Sequence, residues 1–301
     1  MGFWTDKEVM ITGGFGLIGR PMFRKLLDLG ASLHVFDLPY DVKNYEMVLQ
    51  RLQSTEADIC IHLAAVSHVE DSREKPLEAF EINVAGTWNV LQACLETEVK
   101  SVVIAASNHV YGEQEKYPVP ESAQMNQLDT YSVTKICADY LARCYAHNYG
   151  LPVASIRNTN CYGPEDLHIS HIVPGTIRAV LGGEVPVING DGRTSKSYLY
   201  VDDVVDAYLM ISEALYVGAV DPGEVFNVSC PPISVADLVE KILQLMDASP
   251  NYLIKGQPND QSNERLDSTK IEQLGWSPRY SLDEGLAKTI EGFMATAEVT
   301  A

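Results

Sequence analysis

The sequence predicts an α/β fold: a doubly wound parallel sheet followed by a smaller, mixed α/β lobe. Three observations predict it. Short apolar runs alternate with amphipathic helical patterns through the first half of the 301-residue chain, the rhythm of strands covered by helices on both faces. The first of these runs ends in a Gly-rich turn that opens a helix. Beyond Gly163 the elements become short and mixed. The chain is therefore divided into a sheet unit over residues 1–165 and a second, partly interleaved lobe over 166–301.

The elements follow in order. Val9–Thr12 is a β-branched apolar run and reads as the first strand, and Leu17–Leu29 as the helix after the turn. Leu33–Asp37 is a strand, Tyr45–Leu52 a helix, Ile59–Leu63 a strand and Pro76–Thr97 one long helix. Ser101–Ala106 is a buried strand, Gly112–Leu128 a loop rich in Glu, Gln and Pro, Tyr131–Tyr149 a helix and Val153–Arg157 a strand. In the second lobe the pattern gives helices near Pro174–Leu181, Asp203–Ala214, Val235–Met246 and Leu282–Phe293. Short strands are expected at Val187–Ile188, Tyr198–Val201 and Val225–Val228, and the polar run Asn251–Asn263 reads as a loop bordering a site.

Composition narrows the function classes. Acidic residues outnumber basic ones 41 to 22, a formal net charge of −19, which argues against a nucleic-acid surface. An anionic ligand would need a local basic or dipolar site to overcome that field. The six cysteines are scattered with no C-x-x-C pair, which fits reduced thiols in a cytoplasmic protein. No metal-ligand spacing is evident, so no metal is expected. No apolar run approaches the roughly 20 residues of a membrane span, and no leader segment is read before the first strand.

Thr12-Gly13-Gly14-Phe15-Gly16-Leu17-Ile18-Gly19 lies between a strand and a helix. Glycines at 13, 16 and 19 suit a tight turn, close approach of a pyrophosphate and tight helix–strand packing. The helix N-terminus then meets the phosphates with free N–H groups and its positive dipole end. This is the Rossmann-type arrangement for a dinucleotide. Asp37, ending the second strand, suits the ribose hydroxyls and repels a 2′-phosphate, which selects NAD over NADP.

Tyr131 and Lys135 stand four apart on one helix face. A nearby ammonium stabilises phenolate, lowering a pKa that starts near ~10. The phenolate can then take a proton from a substrate hydroxyl while hydride leaves the same carbon. Ser107 ends the preceding strand, where its hydroxyl can share the hydrogen bond to the reacting oxygen.

Further motifs stand in the same order along the chain: Asp58-Ile-Cys-Ile-His62-Leu-Ala64-Ala65, Asn83-Val-Ala-Gly86-Thr87-Trp-Asn89 and Ser107-Asn-His-Val-Tyr111-Gly112. Arg157-Asn-Thr-Asn160-Cys-Tyr162-Gly163-Pro164, Gly190-Asp191-Gly192, Tyr200-Val201-Asp202-Asp203-Val204 and Leu274-Gly275-Trp276-Ser-Pro278 continue the series. With them the sequence resembles the extended short-chain dehydrogenases/reductases, specifically the nucleotide-sugar epimerases and dehydratases. The stretch Asp166–Ala214 is most similar to CDP-glucose 4,6-dehydratases.

The resemblance implies NAD held by Gly13, Phe15, Gly16, Leu17, Ile18, Gly19, Asp37, Asp41, Val42, Leu63, Ala64, Ala65, Asn83, Tyr131 and Lys135. Asp41 and Val42 would face adenine. A nucleotide-sugar substrate would meet Val66, Asn108, Asn160, Lys196, Tyr198 and Arg265. Catalysis would rest on Ser107, Tyr131 and Lys135, with His109 as a further candidate. The helices around 87–97 and 131–149 would form a homodimer. His62 reads as a satisfied strand-end residue rather than a catalyst, and Asp202 or Asp203 as a helix cap.

Three departures shape the expected reaction. Only three residues separate Asp37 from Asp41, where the family has a helix and another strand, so the sheet should lack one edge element. Dehydratases follow the strand-end Ser/Thr with an acidic residue and then Glu or Lys; here stand Asn108 and His109. Asn108 cannot hold a proton. An epimerase needs no such pair, so the expectation is an NAD-dependent 4-epimerase, with a 4,6-dehydratase using His109, a sugar or uronate dehydrogenase, and a non-catalytic NAD-binding scaffold as alternatives. Finally, Lys196 stands where many relatives place Arg and another usual Arg falls near Gln257, leaving Arg265 to complete a thin phosphate clamp.

Overall fold

The computed structural model describes residues 2–256 and 264–300. Gln257 and the rest of 257–263, the second half of the expected site-bordering loop, lie outside the described residues. Six parallel strands form the main sheet in the order β10-β5-β4-β3-β1-β2. They are β1 (Glu8–Thr12), β2 (Ser32–Phe36), β3 (Ile59–His62), β4 (Ser101–Ala105), β5 (Val153–Asn158) and β10 (Val225–Val228). β2 ends the sheet on one side, as the short Asp37–Asp41 link requires.

Alternate residues of these strands feed two cores, because successive side chains of a strand face opposite sides. Val9, Ile11, Ile59, Ile61, Val103, Ala154 and Ile156 pack with Met22 and Leu26 of α1 (Gly19–Asp28) and with Val204, Tyr208 and Ile211 of α8 (Val201–Tyr216). Met10, Cys60, Val102, Ile104 and Val153 face the other way. They pack onto α2 (Tyr45–Thr55), α5 (Thr87–Glu96) and α6 (Thr130–Tyr149). The chain thus returns to the first sheet after residue 165: α8 covers one face and β10 supplies the outer strand beside β5.

Two short helices, α3 (Val69–Glu74) and α4 (Pro76–Phe80), precede α5. The single helix expected over Pro76–Thr97 is interrupted by a π-helical turn at Glu81–Gly86. Gly86 lies against Val42 so closely that an added Cβ would sit 2.7 Å from Val42 Cγ2. π-Turns of this kind commonly occur at functional sites, and this one carries Asn83.

The second lobe packs β6 (Asn160–Tyr162) parallel to β9 (Tyr198–Tyr200), with α7 (Ile172–Leu181), α9 (Val235–Leu245) and α11 (Leu282–Thr300) around a core of Tyr162, Ile177, Tyr200, Leu238 and Leu286. Small pairs join β7 (Val187–Ile188) to β12 (Leu253–Ile254) and β8 (Ser195–Lys196) to β11 (Ile233–Ser234), and α10 (Thr269–Glu272) precedes α11. Neither Asp202 nor Asp203 caps α8, whose N-cap is Tyr200. The buried Asp203 carboxylate instead accepts from the backbone N–H groups of Arg279 and Tyr280, tying down the segment that leads to α11.

Candidate active site

α6, the helix that carries Tyr131 and Lys135, is fixed at its first turn. Asp129 caps α6, accepting from Ser132 N at 3.0 Å and from Ser132 Oγ at 2.6 Å. Tyr131 is thereby placed beside Ser107, which follows β4. Ser107 Oγ accepts from His109 N at 3.2 Å and pairs with the Tyr131 phenol. Lys135, one turn further along α6, is buried and donates from Nζ to Ala105 O at 2.8 Å. The His109 ring stands edge-on to Tyr131, with centroids 5.8 Å apart.

The charge state of this group departs from the sequence expectation. Burial pushes the Tyr131 phenol above its ordinary value; the Ser107 hydrogen bond opposes this and Asp129 reinforces it. Burial also lowers Lys135 to about 8. The ammonium spends its contact on the Ala105 carbonyl, so these residues alone do not produce a depressed phenol. Burial likewise lowers the His109 pKa, leaving its imidazole neutral near neutrality.

The Gly-rich turn leaves no room for side chains. Gly13 has φ +68°, and a Cβ there would stand 2.7 Å from Ala64 N. A Cβ on Gly19 would stand 2.5 Å from Gly13 O. Asp37 lies at the same turn, with Oδ2 accepting from Phe15 N at 2.9 Å and Oδ1 from Leu38 N at 2.8 Å. A bare backbone turn opening a helix, with a carboxylate at the end of the next strand, fits a dinucleotide with free ribose hydroxyls.

A buried hydrogen-bond chain links this turn to α6. Ala64 N donates to Thr12 Oγ1 at 3.2 Å, and Thr12 Oγ1 lies 2.6 Å from His62 Nδ1. His62 Nε2 lies 3.0 Å from Thr87 Oγ1, whose hydroxyl donates to Asn83 O at 2.7 Å. Thr87 must then accept from His62, so Nε2 carries the proton and Nδ1 accepts from Thr12. Asn83 Oδ1 accepts from Val66 N at 2.7 Å, while its Nδ2 donates to Val66 O at 3.0 Å and to Thr134 Oγ1 at 2.9 Å. Asn83 thus holds the Val66 backbone and α6 together.

The second lobe contributes a polar cluster centred on Glu264, which sequence reasoning missed. Its Oε2 accepts from Asn160 Nδ2 at 2.9 Å and from Asn108 Nδ2 at 3.1 Å; its Oε1 pairs with Lys196 Nζ at 3.1 Å. Burial alone would raise this carboxyl, but the Lys196 charge and the hydrogen bonds from Lys196 and Asn160 hold it below the usual carboxylate range. Lys196 and Glu264 are 68 positions apart in the chain, so no local spacing pointed to the pair.

One cavity of about 1560 Å³ runs between the lobes. It is lined by Gly13, Phe15, Gly16, Leu17, Ile18, Gly19, Asp37, Asp41, Val42, Leu63, Ala64 and Ala65 on the turn side. Ser107, Asn108, His109, Tyr131, Lys135, Asn160, Lys196 and Tyr198 line the remainder. Asn83, Val66 and Arg265 do not line it. Arg265 is exposed, with its backbone carbonyl accepting from Val119 N at 2.8 Å, so it does not complete the expected clamp; its neighbour Glu264 faces inward. Behind the site, Arg157 is forked onto Asp139 through Nε and Nη2, both at 3.0 Å, and its Nη1 donates to Tyr111 Oη at 2.7 Å.

Comparison with known proteins agrees with this architecture. The chain is 29% identical, over 99% of its length, to a trifunctional UDP-glucose 4,6-dehydratase/3,5-epimerase/reductase of Arabidopsis thaliana, and spans 48% of it. It covers about half the length of each of the first three curated relatives it matches. A UDP-glucose 4-epimerase of Thermotoga maritima, solved with UDP-glucose, superposes with a TM-score of 0.89 at 27% identity, covering 96% of this chain and 99% of that one. A dTDP-glucose 4,6-dehydratase of Streptomyces venezuelae, solved with NAD, superposes at 0.86 with 26% identity, covering 97% and 98%. No helix among the described residues is long and apolar enough to cross a membrane. Residues 9–229 match one family model across the Gly-rich turn, α6 and the returning sheet strand, and this chain belongs to the NAD dependent epimerase/dehydratase family.

Proposed function

We propose that this chain is a nucleotide-sugar 4-epimerase. NAD would be held by the Gly13–Gly19 turn and Asp37, and its chemistry would be to accept hydride from the sugar C4 and return it. Tyr131 would take the proton from the C4 hydroxyl and give it back to the carbonyl oxygen after the keto-sugar has turned over, a role that requires the positive charge of bound NAD to offset the burial that raises its phenol. Ser107 shares that oxygen, and Lys135 keeps a positive charge beside the end of β4. The product has the atoms of the substrate and a changed configuration at C4.

The observation that carries the choice is the state of Asn108 and its neighbours. Elimination of water needs a group that can protonate the departing hydroxyl at C6. Asn108 has no proton to exchange and its amide is engaged by Glu264. Glu264 is held ionised by Lys196, and burial keeps His109 neutral. The site therefore offers an acid–base group for C4 and none prepared for dehydration. Asn160 and Lys196 are the candidate polar contacts for the substrate, with Lys196 already sharing its charge with Glu264.

The test is to incubate the purified protein with UDP-, dTDP-, GDP- and CDP-hexoses and follow products by mass spectrometry and proton NMR. A new epimer at unchanged mass is expected. Loss of one water would overturn the choice and give His109 the role of proton carrier; a mass lower by two hydrogens, matched by reduced cofactor, would make it a dehydrogenase.

The homodimer is proposed on exposed apolar side chains of the two helices beside the site. Trp88 on α5 is 47% exposed and Tyr140 on α6 is 55% exposed, an arrangement that a second copy would cover. Light scattering should give twice the chain mass, and Tyr140→Glu should reduce it. The six unpaired cysteines suit a cytoplasmic location.

A further inference from the structure

Outside the acid–base group, the most concentrated chemistry in the molecule is a cluster of three imidazoles. His68 lies just before α3, and His168 and His171 lie in the loop before α7. One ring nitrogen from each falls within 4.8 Å of the other two. His171 Nε2 is 3.1 Å from His68 Nδ1, and all three rings line the cavity between the lobes.

The hydrogen bonds orient these nitrogens. His171 Nδ1 is 2.8 Å from the buried Asp166 carboxylate, which fixes the proton on Nδ1 and leaves the Nε2 lone pair to accept from His68 Nδ1–H, a proton that moves to His68 Nε2 when an ion takes both nitrogens. His168 Nδ1 lies 2.8 Å from Ser170 Oγ, and its Nε2 faces the Asp71 carboxylate at 3.8 Å. Asp166 also accepts from His168 N at 3.2 Å, so one carboxylate organises both histidines of the loop. A histidine whose second nitrogen is held by a carboxylate is the usual support of a metal ligand.

The spacing fits an ion. Three nitrogens bound tetrahedrally at about 2.0–2.1 Å stand about 3.4 Å apart, close to the 3.1 Å between His171 and His68. His168 is stacked on His68 with centroids 3.3 Å apart, and its 35%-exposed side chain would swing out of that stack to bring Nε2 to the ion. A donor set of three imidazole nitrogens, with the Asp71 carboxylate 3.8 Å from one of them, suits a borderline divalent transition ion rather than Mg²⁺ or Ca²⁺.

We propose that His68, His168 and His171 form a tri-imidazole site for a divalent transition ion of the Zn²⁺ type, with its fourth position open to the cavity. The ion would tie the loop before α7 to the start of α3. It would also bring positive charge to a cavity in which Lys196 is already paired with Glu264. The spacing between residue 68 and the other two is 100 positions or more, which is why the sequence carried no metal-ligand pattern.

The test is cobalt titration of the chelator-treated protein, read by visible absorption, with zinc stoichiometry from equilibrium dialysis. One Co²⁺ per chain with the intense visible bands of tetrahedral coordination, displaced by one Zn²⁺, is expected. His168→Ala and His171→Ala should each weaken binding by at least tenfold. His147→Ala, an exposed histidine on α6, and Tyr131→Phe should leave it unchanged. If cobalt gives only weak octahedral absorption, or if the loop variants bind as the parent does, the three rings are a hydrogen-bonded cluster and the proposal is wrong. The readout is independent of turnover, so it holds or fails apart from the epimerase reading.

Discussion

Removing His62 should flatten the acid side of the stability profile. Both of its ring nitrogens are engaged in the buried chain from Ala64 to Asn83, and burial, with a smaller contribution from Lys135, lowers its pKa from 6.5 to about 3. The unfolded chain therefore binds a proton between about pH 6.5 and 3 that the folded chain refuses. Stability from this group is complete above about 6.5 and is lost as pH falls toward 3. One proton is about 1.4 kcal/mol per pH unit, and the loss by pH 5 comes to about 2 kcal/mol relative to neutral pH. His62→Gln cannot titrate and cannot bridge Thr12 to Thr87, so at pH 7 it should be less stable by about 1–3 kcal/mol. Urea unfolding of both proteins at pH 7, 6 and 5, under identical cofactor loading, measures the difference. The two curves should converge on acidification, since every other titrating group is shared. Parallel curves, with the variant losing as much as the parent between pH 7 and 5, would refute the assignment of a neutral, doubly bonded His62.

Three further outcomes follow from the site. Tyr131→Phe should lower turnover by about 10²–10⁴-fold while NAD binds as before; unchanged activity in a cellular assay would point to a binding-only scaffold. Gly13→Ala places a Cβ 2.7 Å from Ala64 N at φ +68°, so it should cost about 1–3 kcal/mol in denaturant unfolding and abolish NAD binding by calorimetry. Asp139→Asn leaves the Arg157 guanidinium buried without its counter-charge, and a loss of about 3–5 kcal/mol is expected by the same unfolding measurement.

Much of the site was legible because its parts are local. The Gly13–Gly19 turn needs only a strand before it and a helix after it, and Tyr131 and Lys135 share a face because a helix repeats every 3.6 residues. The strand at Ile59 and the strand at Ser101 stand out as runs buried on both faces. What escaped was set by partners distant in sequence. The π-turn at Glu81–Gly86 looks like continuous helix in the periodicity, and Gly86 meets Val42 only in the folded packing. Asp203 sits where a cap belongs, yet its carboxylate receives the Arg279 and Tyr280 backbone. Arg265 was the charge that a clamp called for, but the adjacent Glu264 points inward.

By itself the sequence determined the parallel sheet, the cofactor turn and the membership of Ser107, Tyr131 and Lys135 in one group, since each follows from backbone periodicity and short-range spacing. Only the tertiary structure decided the charge states and the second lobe's contribution. Tyr131 is pushed up rather than down because folding removes it from water and directs Lys135 to the Ala105 carbonyl. Asn160, Lys196 and Glu264 meet because β6 pairs with β9 just after Lys196 and the Glu264 backbone N–H donates to Ser195 O, and Asn108 reaches the group from the end of β4. Desolvation and contacts between distant segments depend on which surfaces are buried together, and that is a property of the packed molecule that no stretch of sequence carries alone.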